Sequence, residues 1–354
     1  MQEFWNGKKI LITGHTGFKG SWLAFWLKML GADVCGYSLA PETEPNLYKD
    51  LELENKMRSI IGDVRDLPHF EKTVQSFQPE IVFHLAAQSL VRKSYQEPLE
   101  TYTTNVIGTI NILEAVRRSD SVKSVLIITT DKVYENKEWQ RAYREDERLG
   151  GFDPYSSSKA CAELAVSAYR NSFFTQSDCL IATARAGNVI GGGDWSEDRL
   201  LPDVFRSLVF GEKLKIRNPG SIRPWQHALE PLAGYMKLAE KLYQGKRNFA
   251  ESWNFGPAEE DSKPVGWILN EIKRVWREPV NWEIDESIQP HEARLLKLDS
   301  AKAKNELNWL PKLILKEAVE LTAEWYRGFK DKQDLVELTT GQISSYQNKS
   351  VFGN

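Results

Sequence analysis

A glycine-rich turn between a short strand and a helix is the feature that most restricts the fold of this chain. Residues 9–13 are largely apolar, which predicts a strand buried on both faces. Gly14, Gly17 and Gly20 follow, and residues 21–30 show the pattern of a helix. Backbone N–H groups and the helix dipole at such a turn attract phosphate, so the unit predicts a dinucleotide site. The spacing differs from Gly-x-Gly-x2-Gly, so packing alone is an alternative reason for the glycines.

Strands and helices alternate along most of the chain. Further strands are predicted over residues 33–37, 57–61, 80–85, 122–128, 179–184, 214–217, 253–256 and 280–284, and helices over 67–77, 102–118, 154–173, 201–210, 231–243, 265–276 and 318–330. This alternation predicts an α/β fold, a Rossmann-type doubly wound parallel sheet with a smaller mixed α/β C-terminal substrate domain. We expect a nucleotide-binding domain over 1–186, with segments near 225–257 returning to it, a mainly substrate-binding domain over 187–330, and a polar C-terminal tail over 331–354.

The composition argues against several classes of protein. The formal net charge is −3, so no overall field favours nucleic acid or an anionic membrane. Cys35, Cys161 and Cys179 lack CxxC spacing, which argues against a disulfide framework and a zinc site, and no metal is expected. The N-terminus has no signal-peptide pattern, and the longest apolar stretch, residues 22–30, is too short to span a bilayer. A cytoplasmic protein is expected.

A helix beginning at Pro154 would place Tyr155 and Lys159 on one face, with Asp153 as the N-cap. A tyrosine with a pKa of about 10 needs a decrease of roughly three units to act as a base near neutral pH. An ammonium about 4 Å away contributes on the order of 4 kcal/mol at an effective dielectric of about 20, which is enough. The same pair also fits a solvated helix face, so its meaning depends on the rest of the chain.

Together the motifs resemble the extended short-chain dehydrogenase/reductase family. The residues that carry this resemblance are Thr13-Gly14-x2-Gly17-x2-Gly20, Gly62-Asp63, His84-Leu85-Ala86-Ala87, Asn105 and Tyr155-x3-Lys159. Within the family the chain is most similar to nucleotide-sugar 4,6-dehydratases, and among these to the members that act on CDP-glucose. This narrower likeness rests on Thr130-Asp131-Lys132-Val133-Tyr134, residues 185–195, Arg223-Pro224-Trp225-Gln226-His227, and His291-Glu292-Ala293 ahead of Leu296-Lys297-Leu298-Asp299.

The resemblance implies three chemical steps on the sugar of a nucleotide sugar. Tyr155 would take the proton of the 4-hydroxyl as hydride leaves carbon 4 for NAD, while Thr130 binds the 4-oxygen and Lys159 lowers the tyrosine pKa. Asp131 would then protonate the leaving 6-hydroxyl, and Lys132 stands where related dehydratases carry the glutamate that takes the proton from carbon 5. Hydride would return to carbon 6, which gives a 4-keto-6-deoxy sugar.

The role of Lys132 stays open because a lysine base needs a neutral amine, which requires burial or nearby positive charge. Lys132 alternatively polarises the ketone while water or another group takes the proton. An aspartate followed by a lysine at a strand end also fits a solvated ion pair.

The resemblance also assigns the residues that bind ligands. The implied cofactor-binding residues are Gly14, Gly17, Phe18, Gly20, Asp63, Val64, Leu85, Ala86, Ala87, Asn105, Tyr155 and Lys159. The implied substrate-binding residues are Gln88 and Ser89 for the sugar, and Asn188, Arg223 and Arg294 for the diphosphate. NAD is the expected cofactor, although the end of the second strand lacks the acid that normally binds the adenosine ribose. His15 and Lys19 are nearby cations that could favour a phosphate, so the residues alone leave NADP open.

Two other classes of function stay open at this point. One alternative is a 4,6-dehydratase of another nucleotide sugar, and another is a nucleotide-sugar 4-epimerase. Both would use Tyr155 and Lys159, but an epimerase needs no acid and base beside Thr130. A dinucleotide sensor built on the same fold would not need to keep the hydride-transfer residues. Relatives associate through a helix bundle, so the helices over 102–118 and 154–173 are expected to form a homodimer or homotetramer.

Overall fold

The computed structural model describes residues 2–287, 293 and 295–350. The strands are β1 Lys9–Thr13, β2 Asp33–Ser38, β3 Arg58–Ile61, β4 Ile81–His84, β5 Ser124–Ile128, β6 Leu180–Arg185, β7 Val189–Ile190, β8 Leu214–Ile216, β9 Ile222–Pro224, β10 Gln226–His227, β11 Ser252–Asn254, β12 Ser262–Pro264 and β13 Trp282–Ile284.

The α-helices are α1 Gln2–Trp5, α2 Phe18–Met29, α3 Leu47–Asp50, α4 Leu53–Lys56, α5 Leu67–Phe77, α6 Val91–Gln96, α7 Pro98–Tyr102, α8 Gly108–Arg117, α9 Pro154–Phe173, α10 Leu200–Phe210, α11 Leu229–Tyr243, α12 Val265–Trp276, α13 Ala301–Glu306, α14 Leu315–Lys330 and α15 Leu335–Asn348. A π-helical turn, Thr103–Ile107, joins α7 to α8, and a 3₁₀ turn, Asp131–Val133, follows β5. Two further 3₁₀ turns are Arg247–Phe249 and Glu259–Asp261. None of the described helices is both long enough and apolar enough to cross a membrane.

Within the described residues, seven strands form one sheet in the order β11-β6-β5-β4-β1-β2-β3, and every neighbouring pair is parallel. The chain moves outward from β1 in one direction through β2 and β3, then returns and continues from β4 in the other direction. This doubly wound topology was predicted and is confirmed. Ligands of such sheets bind beyond the carboxyl ends of the strands where the order reverses, here between β1 and β4.

Both faces of the sheet are covered. Ile10 and Ile12 of β1 belong to one buried apolar cluster, whereas Leu11 between them belongs to a second cluster. Successive strand residues point to opposite faces, so this division shows that each side of the sheet has its own core. The parallel strands are apolar along their length for this reason, as predicted for residues 9–13.

Two of the differences between the predicted and observed elements have a clear physical cause. The helix predicted over 102–118 is three segments, because the π-helical turn around Asn105 interrupts it. The segment predicted as a polar tail contains α15, whose Ile343 and Tyr346 are buried against the main core. The polar sequence of α15 has few apolar positions, and these contacts between distant segments stabilise it instead.

Candidate active site

The glycine turn after β1 leaves the N-terminus of α2 open. Gly14 has a φ of +76°, and a Cβ there would lie 2.7 Å from the backbone nitrogen of Ala86. A Cβ on Gly20 would lie 2.0 Å from the carbonyl oxygen of Gly14. Gly17 is the N-cap of α2 and provides no side-chain cap, so the first N–H groups of the helix are free for a ligand. These residues fit the pyrophosphate of a dinucleotide.

The helix begins at Phe18, which is earlier than predicted, so Phe18 and Lys19 lie in its first turn. The rest of the helix is largely buried and apolar, with Trp22 and Trp26 fully buried. Lys19 is half-buried and faces the cleft. The sequence indicated Lys19 only as a cation near the adenosine ribose. In the structure it lines the cavity that also contains Asp131 and Tyr155.

His15 is not the cation that the sequence suggested. Its ring is fully buried against Gly36, where a Cβ would lie 2.2 Å from the ring, and its Nε2 lies 2.7 Å from Ser59 Oγ. Burial lowers the pKa of His15 to about 4, so the imidazole is neutral near pH 7. The expected attraction of His15 for a ribose phosphate is therefore wrong.

At the end of β2, hydroxyl groups stand where an acid is usual. Thr16 Oγ1 lies 2.9 Å from Ser38 Oγ and donates to the carbonyl of Leu39. Asp63, predicted to lie near the adenine, accepts hydrogen bonds from Arg65, which hold the pKa of its carboxyl below the usual value. Its neighbour Val64 is buried.

The loop after β4 is held by hydrogen bonds. Asn105 accepts from Gln88 N at 2.9 Å and donates to Gln88 O and to Ser158 Oγ, so it ties the loop to α9. The Gln88 side chain donates to Thr101 and to the carbonyl of Leu90, so these bonds occupy it within the loop. Asn105 and Gln88 thus support the cleft wall in this structure, and their predicted contacts with ligands stay predictions.

His84 at the end of β4 and Ala86 in the loop after it both contact Thr13 of β1. Leu85, Ala86 and Ala87 follow β4, and Ala86 N donates to Thr13 Oγ1. His84 lies 2.7 Å from Thr13 Oγ1 and 3.1 Å from Thr109 Oγ1, and burial lowers its pKa to about 3. These two neighbours and the neutral ring are consistent with a histidine of the cleft wall.

Thr130, Asp131, Lys132 and Tyr155 line one cavity of about 270 Å³. Thr130 Oγ1 donates to Asp131 Oδ1 at 2.9 Å, and both residues are buried. Asp131 also packs on Gly187, where a Cβ would lie 1.8 Å from Oδ2. The structure therefore brings together the predicted hydride-transfer residue Tyr155 and the predicted elimination residues, although they lie on different elements.

The helix that carries Tyr155 begins as predicted. Asp153 accepts a hydrogen bond from Ser156 N, and Pro154 occupies the first turn. Burial raises the pKa of Tyr155 to about 12, while a hydrogen bond with Thr130 and the charge of Arg199 act in the opposite direction. The shift is opposite to the expected one because the cost of burying a phenolate outweighs the neighbouring charges.

Lys159 is buried one turn beyond Tyr155, and its Nζ donates to the carbonyl of Ile128 at 3.1 Å. Burial and the charge of Lys19 lower the pKa of Lys159 to about 7. One turn further, Glu163 forms a buried ion pair with Arg185 at 2.9 Å. Thr129 and Thr183 also donate to Glu163, so this network fixes the base of α9 beneath the cleft.

Ser89, Asn188 and Arg223, which were predicted to bind the substrate, also line the cavity, and their contacts with a substrate stay predictions. Arg294, also predicted, lies outside the described residues, as do His291 and Glu292 of the motif. The sequence did not predict Arg199, which donates to Asp194 Oδ2 at 3.1 Å and to Ser89 Oγ at 2.8 Å. No local pattern marks Arg199, because its partner Ser89 lies 110 residues away in the chain.

Among residues 2–287, 293 and 295–350, no group of histidine, cysteine and acidic side chains converges as a metal site would require. The cleft therefore offers two kinds of groups, a backbone cradle for phosphate and a set of hydroxyl, carboxyl and amine groups for acid–base chemistry.

Comparisons with known proteins agree with this geometry. The family described as GDP-mannose 4,6-dehydratase matches residues 11–322. CDP-glucose 4,6-dehydratase of Salmonella typhimurium is 48% identical over 99% of this chain and 99% of that protein. The solved structure of UDP-glucose 4-epimerase from Thermotoga maritima with UDP-glucose has a TM-score of 0.79 at 22% identity, over 90% of this chain and 99% of that one. UDP-glucuronic acid 4-epimerase from Bacillus cereus, in complex with UDP-glucuronic acid and NAD, has a TM-score of 0.77 at 23% identity and covers 91% of this chain and 99% of that one.

Proposed function

This chain belongs to the GDP-mannose 4,6-dehydratase family, within the extended short-chain dehydrogenases/reductases, and we propose that it is an NAD-dependent CDP-glucose 4,6-dehydratase. It is a hydro-lyase that converts CDP-glucose to CDP-4-keto-6-deoxyglucose. The observation that carries this proposal is the 48% identity to CDP-glucose 4,6-dehydratase along the full length of both chains. The epimerase and sensor alternatives have no comparable support, since the solved epimerases share only the fold at about 22% identity.

NAD is the cofactor, and when bound it takes a hydride from the sugar and later returns it. Gly14, Gly17 and Gly20 would hold its pyrophosphate through backbone N–H groups, and Leu85 to Ala87 would line its crevice. The neutral His15 and the hydroxyls of Thr16 and Ser38 offer no positive charge for the additional phosphate of NADP.

In the first half-reaction, Tyr155 is proposed to remove the proton from the 4-hydroxyl as carbon 4 is oxidised. Thr130 is the partner that would orient the 4-oxygen beside it. Because burial raises the pKa of Tyr155, proton transfer requires positive charge close to the phenol in the loaded site, which is the proposed role of Lys159.

In the second half-reaction, the 4-ketone acidifies the proton on carbon 5. Asp131 is proposed to protonate the departing 6-hydroxyl, which leaves as water. Lys132 is proposed to serve the removal of the carbon 5 proton, either as the base or by polarising the ketone. Hydride then returns to carbon 6, and carbon 5 is reprotonated. Asp131 and Lys132 line the same cavity as Tyr155, which supports both halves occurring at one sugar.

The proposal is tested by incubating the purified protein with NAD⁺ and a panel of CDP-, dTDP-, GDP- and UDP-glucose. We expect the ultraviolet absorbance of a 4-keto-6-deoxy sugar in alkali with CDP-glucose and far less with the others. Formation of a 4-epimer without that absorbance would contradict the proposal, as would a preference for another nucleotide. Replacing NAD⁺ by NADP⁺ in the CDP-glucose reaction tests the cofactor.

We also propose that the enzyme is a homodimer or homotetramer formed through the segment over 102–118, which contains the π-helical turn and α8, and through α9. Ile107 of the π-helical turn and Leu164 of α9 are 46% and 59% exposed, and Leu99, just before this segment in α7, is 77% exposed. Exposed apolar side chains on helices are typical of interfaces. Leu164→Glu should shift the protein to a smaller species in light scattering coupled to gel filtration, whereas Glu80→Gln should not. Domain limits and a cytoplasmic location stay predictions.

A further inference from the structure

Tyr235 of α11 has a fully buried side chain whose hydroxyl has no hydrogen-bond partner among the described residues. Two other fully buried tyrosines are paired, since Tyr134 donates to Asn254 and Tyr326 donates to the carbonyl of Asp194. An unpaired buried hydroxyl lowers the stability of a fold, and a phenylalanine would fill the same space without this cost. Packing alone therefore does not explain a tyrosine at this position.

The hydroxyl of Tyr235 is directed toward the carboxyl ends of the strands. α11 begins directly after β10, which pairs with β7 just beyond the carboxyl end of β6. Further along α11, the carbonyl of Ala239 accepts a hydrogen bond from Ser124 at the start of β5, so the helix runs antiparallel to these strands. Because helical side chains lean toward the helix N-terminus, Tyr235 reaches toward the edge of the sheet where β5 ends and Asp131 follows.

Asp131 and Tyr235 are connected through one wall of the cleft. Asp131 Oδ2 packs on Gly187, and the Gln226 side chain donates to the carbonyls of Gly187 and Phe255 at 3.3 and 2.8 Å. The Phe255 ring in turn packs edge-on against the Tyr235 ring, with 5.5 Å between the centroids. The phenol therefore lies in the layer of side chains directly behind the acid–base groups.

The elimination requires more hydrogen bonding at Asp131 than Thr130 can provide. Within the part of the chain that the structure describes, Thr130 is the one side chain that donates to Asp131, and its hydroxyl has a single proton. In the loaded site the 4-ketone, which can only accept, would take that hydrogen bond. When Asp131 gives its proton to the 6-hydroxyl, the bond between carbon 6 and oxygen breaks, water leaves and a buried carboxylate remains. A buried carboxylate needs a hydrogen-bond donor.

We propose that Tyr235 is a positioning residue for the elimination, which donates a hydrogen bond to the Asp131 carboxylate as that carboxylate forms. The inference rests on the proposed function, in which Asp131 protonates the 6-hydroxyl. Because Tyr235 is fully buried, it acts through Asp131 and not on the sugar. Burial raises the pKa of Tyr235, and Tyr155 and Asp131 raise it further, so the phenol keeps its proton and can donate. Hydrogen bonds of acid–base groups often tighten only in the substrate complex, which agrees with the unpaired hydroxyl.

The test is Tyr235→Phe, which removes only the hydroxyl, followed by rapid mixing with CDP-glucose and NAD⁺. We expect NADH to form at the native rate and the 4-keto-6-deoxy product to appear roughly tenfold to hundredfold more slowly, the effect of one hydrogen bond to a charged group. The thermal midpoint should equal or exceed the native value, because the hydroxyl has no partner to lose. Tyr243→Phe on the same helix is the matched control. Its hydroxyl donates to Glu80 at 2.7 Å, so this variant should lose stability and keep native turnover.

CDP-6-deoxy-6-fluoroglucose provides a second measurement, because fluoride leaves without a full proton transfer from Asp131. Tyr235→Phe should act on this substrate at close to the native rate. An equal loss with both substrates, or native product formation from CDP-glucose, would overturn the inference. A lowered thermal midpoint in Tyr235→Phe would also overturn it, because the hydroxyl would then stabilise the fold. A native protein that forms no 4-keto-6-deoxy sugar from CDP-glucose would contradict the proposed function itself, and with it this inference.

Discussion

The two sides of the active-site cleft differ in the chemical groups that they offer to a ligand. On the cofactor side, Gly14 and Gly20 leave no room for a Cβ, and the neighbouring His15 is buried and neutral. On the chemical side, ionisable side chains dominate, including Lys159 and the buried Asp131. The first side offers backbone groups to a ligand, whereas the second offers side chains that can gain and lose protons.

This difference predicts two kinds of sensitivity. A backbone cradle depends on the absence of side chains, so an added methyl group damages it through packing. A cleft of ionisable groups keeps its shape after a substitution of similar size but loses its chemistry. Variants on the two sides should therefore separate stability from catalysis.

Tyr155→Phe should reduce turnover of CDP-glucose by roughly 10²- to 10⁴-fold, the usual contribution of a general acid–base group. The phenol has little structural role that phenylalanine cannot fill, so the thermal midpoint should stay near that of the native protein. Tyr169→Phe, further along α9 and bonded to Glu114, is the control for activity. A Tyr155→Phe variant with native turnover would contradict the assignment of chemistry to this side.

Lys132→Ala should reduce product formation by roughly 10²-fold, because it affects the elimination and not the first oxidation. NADH should still form when CDP-glucose is added, which absorbance at the NADH maximum would follow. Lys137→Ala, whose exposed ammonium pairs with Glu135, is the matched control. Complete loss of the first hydride transfer in Lys132→Ala would show that this lysine is not specific to elimination.

Gly20→Ala and Gly17→Ala should separate two functions of the glycine turn. At Gly20 a Cβ meets the Gly14 carbonyl at 2.0 Å, so the variant should lose about 1–3 kcal/mol of stability. At Gly17 the nearest atom would be 3.5 Å away and φ is −84°, so the cofactor-free protein should unfold at the native temperature. Its NAD⁺ affinity should nevertheless fall, because the Cβ faces the phosphate position. Equal thermal midpoints for the two variants would contradict this account of the turn.

His15→Gln should change the pH dependence of stability on the cofactor side. The folded pKa of His15 is lowered to about 4 from an unfolded value of 6.5, so its neutral form stabilises the fold above pH 6.5 and this contribution is lost as pH falls toward 4. Relative to His15→Gln, the native protein should lose up to about 1.4 kcal/mol per pH unit in that window. Urea unfolding at pH 5, 6, 7 and 8 measures the difference. A constant difference between the two proteins would show that His15 is not protected from protonation.

Local patterns predicted the elements with strong end signals. The helices over 67–77 and 154–173 match the structure at both ends. Asp153 is the N-cap of the second helix, as predicted, and the structure shows Asp66 in the same role for the first. The π-helical turn around Asn105 has no such signal. It forms where Asn105 must reach Gln88 and Ser158 on other segments, and a 3.6-residue pattern contains no information about those partners.

The site was predicted in the same uneven way. Tyr155 and Asp131 were indicated by motifs that the chain shares with the family it resembles, and the structure places both in one cavity. Arg199 and Lys19 could not be assigned to it, since Ser89 lies 110 residues from Arg199 in the chain and the charged groups that face Lys19 are also far from it in sequence.

Local periodicity and spacing account for the alternation of strands and helices in the main sheet, for the glycine turn and for the residue types available for chemistry. The tertiary structure decided which charges share the cleft and which ionisation states they hold. In the folded protein the His15 ring is neutral and the pKa of Tyr155 is raised. Lys19 lines the cavity that contains Asp131 and Tyr155. Burial and Coulomb interactions depend on distances across the fold, and these distances exist only once the segments have packed.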